Sequence, residues 1–237
     1  MLSSRLPFQA RFILASFTAV SLILTSGCQS IHDKKEVTVE ILHTNDMHSH
    51  FAGSKNGSAC ITENDCEGGY GRVAEYVKEV KERNPNAIFL DAGDQFQGSL
   101  LYVNYHSPLV GKITDKMRYD FATFGNHEFD EGCKALSDYA KKADFPFLVA
   151  SLKPSPGCPL SMNSISPFTV IDGPDAKIGI IGLANPDVVN QSKACKDTKF
   201  VDHVEAVKDS VKALQARKVN IIIVLSHLGL AKPMIPI

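Results

Sequence analysis

The sequence predicts an α/β fold with a largely parallel sheet. Short apolar segments rich in β-branched and aromatic residues alternate along the chain with longer segments whose apolar residues recur at helical spacing. Such alternation builds strand–helix–strand units, which place their strands parallel in one sheet. The composition agrees, since 44% of the 237 residues are hydrophobic and 22% are charged, which is enough to bury a sizeable core.

Each element is predicted from its own pattern, in chain order. Apolar and polar residues alternate over 37–42, which predicts the first strand, and the Gly-, Ser- and Asn-rich segment 52–71 predicts a long surface loop. The further predicted strands are 87–90, 121–124, 147–150, 168–171, 177–183 and 219–225. The predicted helices are 72–83, 99–116, 129–142 and an amphipathic helix over 204–214.

The first residues predict export. Arg5 and Arg11 precede a short apolar run over 12–24 that ends in small residues before Cys28, a pattern typical of a secretory signal and too short to span a membrane. Cys28 resembles the lipidated cysteine of a bacterial lipobox, although Thr25 stands where such boxes usually carry Leu, and ordinary cleavage nearby is the alternative.

These patterns divide the chain into three parts. We predict a lipoprotein-type signal peptide over 1–27, a polar tether over 28–36 and a folded domain over 37–237. The predicted location is the periplasm or outer membrane of a Gram-negative bacterium, with membrane contact only through a lipid on Cys28.

The net charge restricts the possible binding partners, and the cysteine content bears on the compartment in which the protein folds. A formal net charge of −1 gives no electrostatic case for a nucleic acid polymer. Exported chains keep disulfides, and Cys60 and Cys66 flank a short polar segment that a bridge could close, with two free thiols as the alternative. Cys133, Cys158 and Cys195 are odd in number, so at least one thiol stays unpaired within the chain.

Four polar motifs follow predicted strands. In open α/β sheets the working residues gather beyond the carboxyl ends of the strands. Taken singly the motifs are ordinary turns, helix caps or core residues, but together they supply carboxylate, imidazole and amide groups, the ligand mixture of a two-metal hydrolytic site. The motifs are Asp46-Met47-His48, Gly93-Asp94, Gly125-Asn126-His127-Glu128 and Ser226-His227.

The spacing within the first two motifs suggests how they act. Asp46 and His48 are two residues apart, so an extended backbone would place both side chains on one face. Gly93 would allow a sharp turn that exposes the carboxylate of Asp94, which could then bridge two cations.

The third motif predicts a proton donor. His127 could stay off the metal and act as a general acid, with Asp130, three residues on, orienting its ring. Asp91 and Glu128 are predicted to be hydrogen-bond partners or helix-start residues rather than ligands.

In this order the motifs resemble the calcineurin-like metallophosphoesterase superfamily and, within it, the 5′-nucleotidase family, which includes exported bacterial 5′-nucleotidases, UDP-sugar hydrolases and ecto-5′-nucleotidase. The segments that carry the resemblance are 44–48, 90–98 and 125–130, and the Cys60/Cys66 pair resembles the ecto-nucleotidase branch. The resemblance implies an α/β/β/α sandwich. It also implies hydrolysis of nucleoside 5′-monophosphates to nucleoside and phosphate by water activated at two divalent ions (Zn, Mn or Co).

The resemblance also assigns the metal ligands. Asp46 and His48 would bind the first ion, Asn126 and His227 would bind the second, and Asp94 would bridge both.

The catalytic dyad of the family matches His127 and Asp130. The family adds a Gly-His-x-His-like ligand segment after the strand that ends at His227, and then a nucleotide-specificity domain, and we expect this chain to be truncated before both. Two alternatives therefore stay open: an inactive fragment with residual metal binding, and a sister phosphoesterase for UDP-sugars or cyclic nucleotides. The purified chain is expected to release little phosphate from AMP with Mn²⁺, Co²⁺ or Zn²⁺.

Overall fold

The computed structural model describes residues 36–56, 58–60, 65–155, 158–160, 164–188, 192–193 and 198–229. The chain divides into two units, Met1–Val37 and Thr38–Ile237, and only residues 36 and 37 of the first unit are described. The predicted signal peptide, Cys28 and nearly all of the tether therefore lie outside the described residues, as does Cys195. Within the described ranges, no helix is long and apolar enough to cross a membrane.

Strands and helices alternate along the second unit, as predicted. The helices are α1 Tyr70–Arg83, α2 Leu100–Met117, α3 Gly132–Lys142 and α4 His203–Ala216, with a 3₁₀ turn at His127–Phe129. The strands are β1 Ile41–Thr44, β2 Gly53–Lys55, β3 Ser58–Cys60, β4 Ile88–Asp91, β5 Phe121–Ala122, β6 Phe147–Leu148, β7 Leu152–Lys153, β8 Ile165–Ser166, β9 Phe168–Asp172, β10 Lys177–Leu183, β11 Lys199–Phe200 and β12 Ile221–Ser226.

Two sheets form the centre of the fold. The larger sheet has the order β1-β4-β5-β6-β8, and all of its strand pairs are parallel. The smaller sheet has the order β12-β10-β9, with β10 parallel to β12 and antiparallel to β9. Two short antiparallel pairs, β11–β7 and β2–β3, complete the described strands.

The side-chain alternation of the strands builds four layers. On β4, Leu90 packs with Ile180 of β10 between the two sheets, whereas Phe89 faces the opposite way into a cluster with α1, α2 and α3. On β10, Ile181 turns away from the first sheet and packs with Leu214 of α4. The central strands β4 and β10 are therefore covered on both faces, as their apolar runs require, and the predicted α/β/β/α sandwich is confirmed.

Several element boundaries differ from the prediction. The first strand begins at Ile41 rather than at residue 37, and the loop predicted over 52–71 contains the β2–β3 hairpin. The helix predicted over 129–142 starts only at Gly132, whose φ of 79° separates it from the 3₁₀ turn. Helix α2 is kinked at His106, where φ is 54°, two residues before Pro108. A proline ring clashes with the preceding turn, which explains why this helix is not straight.

The cysteines confirm part of the prediction. A disulfide joins Cys60 to Cys66 across a Cα separation of 6.0 Å. Cys133 is also disulfide-bonded, and Cys158 is a half-buried free thiol.

Candidate metal centre

The polar motifs meet at the carboxyl ends of four strands. Strands β1, β4 and β5 are neighbours in the larger sheet, so the loops that follow them are adjacent. Backbone hydrogen bonds fasten the first two loops together, from the Asp46 N–H to Gly93 O (2.9 Å) and from the His48 N–H to Asp94 O (2.9 Å). Strand β12 belongs to the other sheet, and it brings His227 to the same place.

Asp94 lies at the centre of the cluster, with a side chain that is 4% exposed. Its Oδ2 is 3.2 Å from Nε2 of His227 and 3.8 Å from Nε2 of His48. Its Oδ1 accepts a hydrogen bond from the backbone N–H of His127 at 2.8 Å. Asp46 completes this side of the cluster, with Oδ1 3.8 Å from Nε2 of His48.

The potential ligand atoms fall into two groups that share Asp94. One group combines it with Asp46 and His227, the other with His48 and His127, and the atoms of each group lie within 4.8 Å of one another. The resemblance instead pairs Asp46 with His48 and keeps His127 off the ions. The observed groups therefore differ from that assignment, but both place Asp94 as the shared carboxylate. Asn126 is half-buried and directly precedes the 3₁₀ turn, beside this cluster in the sequence.

Two imidazole rings are oriented as metal ligands usually are. Nδ1 of His48 is 3.2 Å from the carbonyl oxygen of Phe96, and Nδ1 of His227 is 2.9 Å from that of Ala92. A carbonyl oxygen only accepts hydrogen bonds, so each Nδ1 carries a hydrogen and each Nε2 is left to face Asp94. Backbone carbonyls fix the tautomer and ring direction of metal-binding histidines in this way.

His127 has a different partner. Its Nδ1 lies 2.7 Å from Oδ2 of Asp130, as predicted for an oriented proton donor. The other oxygen of Asp130 accepts a hydrogen bond from the Ser192 hydroxyl at 2.6 Å. Sequence reasoning missed Ser192, because it is 62 residues from Asp130 and lies in no recognisable pattern.

Backbone strain is concentrated in the same loops. Asp46, His48 and Asp94 all have left-handed backbones, with φ of 50°, 45° and 60°. The prediction that Asp46 and His48 share a face of an extended segment is therefore wrong, because a tight turn brings them to the site. Gly93 does make the predicted sharp turn (φ 94°), and a Cβ there would lie 2.2 Å from Gly125 N. The expectation that this turn exposes the Asp94 carboxylate is wrong, because the Asp94 side chain is only 4% exposed. Strain of this kind persists at functional sites because the surrounding contacts over-determine it.

A buried carboxylate holds the loop around Asp94. Glu128 is 1% exposed, and its oxygens accept four backbone N–H groups. The donors and distances are Gly125 (2.7 Å), Asp94 (2.9 Å), Gln95 (2.6 Å) and Phe96 (3.3 Å).

Asp91, the last residue of β4, also supports the loop around Asp94. Its Oδ1 accepts hydrogen bonds from the Thr44 hydroxyl (2.9 Å) and the Gln95 side-chain amide (2.7 Å). Burial, together with the nearby charge of Glu128, raises the pKa of Asp91 to about 7. Both acids are thus hydrogen-bond partners, as predicted.

Comparison with known proteins agrees with this geometry. A family model described as calcineurin-like phosphoesterase matches residues 39–234. The chain belongs to the calcineurin-like phosphoesterase family. The relatives of the chain include 5′-nucleotidases, which are hydrolases.

The chain is 34% identical to human 5′-nucleotidase over 192 residues, which cover 80% of this chain and 33% of that protein. A solved 5′-nucleotidase precursor from Thermus thermophilus matches with a TM-score of 0.73 and 34% identity, over 81% of this chain and 38% of that one. An NAD nucleotidase from Haemophilus influenzae matches with a TM-score of 0.73 and 29% identity, over 82% and 35% of the two chains. The chain thus spans about a third of the length of the curated relatives it matches.

Charge pairing dominates the electrostatics of this centre. Burial opposes the charge of His227, but the hydrogen bond to Asp94 and the charges of Asp94 and Asp46 outweigh it and raise the pKa of His227 from 6.5 to about 9. Burial likewise opposes the charge of Asp94, yet the hydrogen bonds from His227 and the His127 backbone lower its pKa. The His227 contribution to stability is therefore present below pH 6.5 and lost as pH rises through about 9. The Asp94 contribution is lost as pH falls below its ordinary pKa of 3.8.

Binding of Mn²⁺ is expected to release about one proton per chain at about pH 8. The reason is that His227 is still protonated there, and Nε2 must lose its proton before it can bind an ion. Calorimetric titrations in two buffers of different ionisation enthalpy measure the number, which should fall as pH approaches about 9. His203→Gln, on the remote helix α4, should leave it unchanged. Binding without proton release at about pH 8 would show that His227 is not a ligand.

Proposed function

We propose that this chain supplies the catalytic centre of a metal-dependent 5′-nucleotidase, which hydrolyses nucleoside 5′-monophosphates to nucleoside and phosphate. The observation that carries the proposal is the buried Asp94 carboxylate, shared between two groups of potential ligand atoms. The 5′-nucleotidases among the relatives support a nucleotide as the substrate.

The donor set fits divalent ions. Asp46, His48, Asp94, Asn126 and His227 would hold two of them, with Zn²⁺, Mn²⁺ and Co²⁺ suited about equally by mixed carboxylate, imidazole and amide ligands. The two Nε2 atoms that face Asp94 are each backed by a backbone carbonyl, which is the support such ligands need. When bound, the ions supply Lewis acidity, which activates water and offsets the charge of the phosphate.

The chain's own residues supply the proton. Water attacks phosphorus and the bond from phosphorus to the 5′ oxygen breaks, so that oxygen must gain a proton. His127 is placed to donate it from Nε2, because its Nδ1 is engaged by Asp130 at 2.7 Å. The Asp130 carboxylate stabilises the charged imidazole and fixes its direction.

Phosphate release from AMP is expected to be slow and to require added Mn²⁺, Co²⁺ or Zn²⁺. It should be slow because the resemblance implies one further protein ligand for each ion beyond the five proposed here. His127→Gln is expected to reduce the release by about 10²-fold or more while metal binding persists. Phosphate assay and calorimetry on the same preparations measure the two effects.

Three other outcomes separate the alternatives. Ion binding with no phosphate release from any substrate would favour a catalytically inactive fragment. Turnover of UDP-glucose or of a cyclic nucleotide, but not of AMP, would favour a sister phosphoesterase. Loss of metal binding in His127→Gln would make His127 a ligand, as its grouping with His48 and Asp94 allows.

We also propose that the protein is exported to the periplasm or outer membrane and lipidated on Cys28. The disulfide between Cys60 and Cys66 and the disulfide-bonded state of Cys133 support an oxidising compartment. In a Gram-negative host, Cys28→Ala is expected to move the protein from the membrane fraction to the soluble periplasmic fraction and to abolish labelling by a fatty-acid analogue. Equal labelling of Cys28→Ala and wild type would contradict lipidation at this residue.

A further inference from the structure

We propose that Ser192 is a positioning residue for the pair formed by His127 and Asp130. The proposal rests on the proposed function, in which His127 gives a proton to the leaving oxygen. The Ser192 hydroxyl donates to Oδ1 of Asp130 at 2.6 Å, while Nδ1 of His127 donates to Oδ2 at 2.7 Å. Each carboxylate oxygen thus has its own donor.

The pair needs such support because it is only partly covered. The side chains of His127 and Asp130 are 25% and 28% exposed, so water competes for the carboxylate oxygens. The terminal torsion of an Asp side chain is broad and nearly two-fold, so a carboxylate held at one oxygen rotates readily. A second donor at Oδ1 fixes the carboxylate plane and keeps Oδ2 on the imidazole.

Ser192 is itself anchored to the core. Its backbone N–H donates to the carbonyl of Val188 at 2.9 Å. Val188 is fully buried in the same hydrophobic cluster as Phe129, which lies in the 3₁₀ turn between His127 and Asp130. The donor and the acceptor are therefore attached to one packed body, and the hydrogen bond between them has little freedom to move.

The hydroxyl acts on Asp130, which is not one of the five proposed metal ligands. Removal of the Ser192 hydroxyl should therefore change the orientation of the His127 ring and leave metal binding unaltered. This separates Ser192 from residues that act through the ions.

The hydrogen bond is tested by NMR of the chain labelled with ¹⁵N-histidine, without reference to activity. The Nδ1–H signal of His127, identified by its loss in His127→Gln, is expected to shift and to exchange faster with water in Ser192→Ala. Ser192→Thr keeps a hydroxyl and should retain the signal. Ser210→Ala removes a similar serine hydrogen bond (2.7 Å to Ala206 O) on the remote helix α4 and should have no effect. An unchanged signal in Ser192→Ala would overturn the proposal.

The consequence for turnover is tested on AMP. Ser192→Ala is expected to lower kcat about three- to tenfold with KM and Mn²⁺ affinity unchanged, and Ser192→Thr should restore most of the loss. In an Asp130→Ala background the same change should alter kcat less than about twofold, because the group it positions is gone. An unchanged kcat, or an equal loss in both backgrounds, would overturn the positioning role. If the NMR signal responds as expected but the wild-type chain releases no phosphate, the proposed function fails and the positioning contact stands.

Discussion

Asp94→Asn is expected to abolish metal binding and phosphate release together. The amide keeps the size of the side chain and can still accept the His127 N–H, but it places a neutral group between the Nε2 atoms of His48 and His227. Since Asp94 belongs to both groups of ligand atoms, both ions lose affinity. The loss should exceed the roughly 10–100-fold that removal of a merely supporting partner costs. Calorimetric titration with Mn²⁺ and phosphate release from AMP measure the two effects.

The matched control for Asp94 is Asp138 on α3, an exposed carboxylate paired with Lys134. Asp138→Asn should leave both measurements at their wild-type values. If Asp94→Asn still bound two Mn²⁺ ions with wild-type affinity, Asp94 could not be the bridging ligand, and the centre would have to be assembled around Asp46 instead.

The sequence predicted where the site lies because hydrophobic patterning and strand ends are local signals. Strand β4, which precedes Asp94, is apolar up to Leu90, and a run of this kind marks a strand that is buried on both faces. Parallel neighbours then bring their following loops to one edge. Strand β10 was predicted at its observed limits, Lys177–Leu183, for the same reason.

The features that the sequence did not predict depend on contacts between distant residues, which local patterns do not encode. Strands β7, β8 and β11 have two residues each and, unlike the equally short β5 and β6, do not begin a longer apolar run. The left-handed backbones of Asp46 and His48 are imposed by hydrogen bonds to the loop after β4, because isolated residues of these types prefer negative φ. Ser192 reaches Asp130 only through the tertiary fold.

Glu128→Gln is expected to cause the largest loss of stability among single substitutions that conserve size at this site. The glutamine amide must place its NH₂ group against one of two pairs of backbone donors, either Gly125 and Asp94 or Gln95 and Phe96. Two buried N–H groups are then left without an acceptor, which costs about 2–5 kcal/mol in the free energy of unfolding. Urea denaturation of the metal-free chain measures it.

The same variant tests whether Glu128 positions the metal centre as well as stabilising the fold. Because Glu128 holds the backbone of Asp94 itself, the folded variant should also bind Mn²⁺ more weakly than wild type when titrated well below its unfolding midpoint. The buried Asp91 is the control, since its carboxylate also supports Gln95 but does not contact the Asp94 backbone in any described hydrogen bond. Asp91→Asn should therefore lower stability with a smaller effect on Mn²⁺ affinity. Equal losses of Mn²⁺ affinity in the two variants would mean that the loop responds to general destabilisation. A larger loss in Glu128→Gln would mean that Glu128 itself sets the geometry of the bridging Asp94 carboxylate.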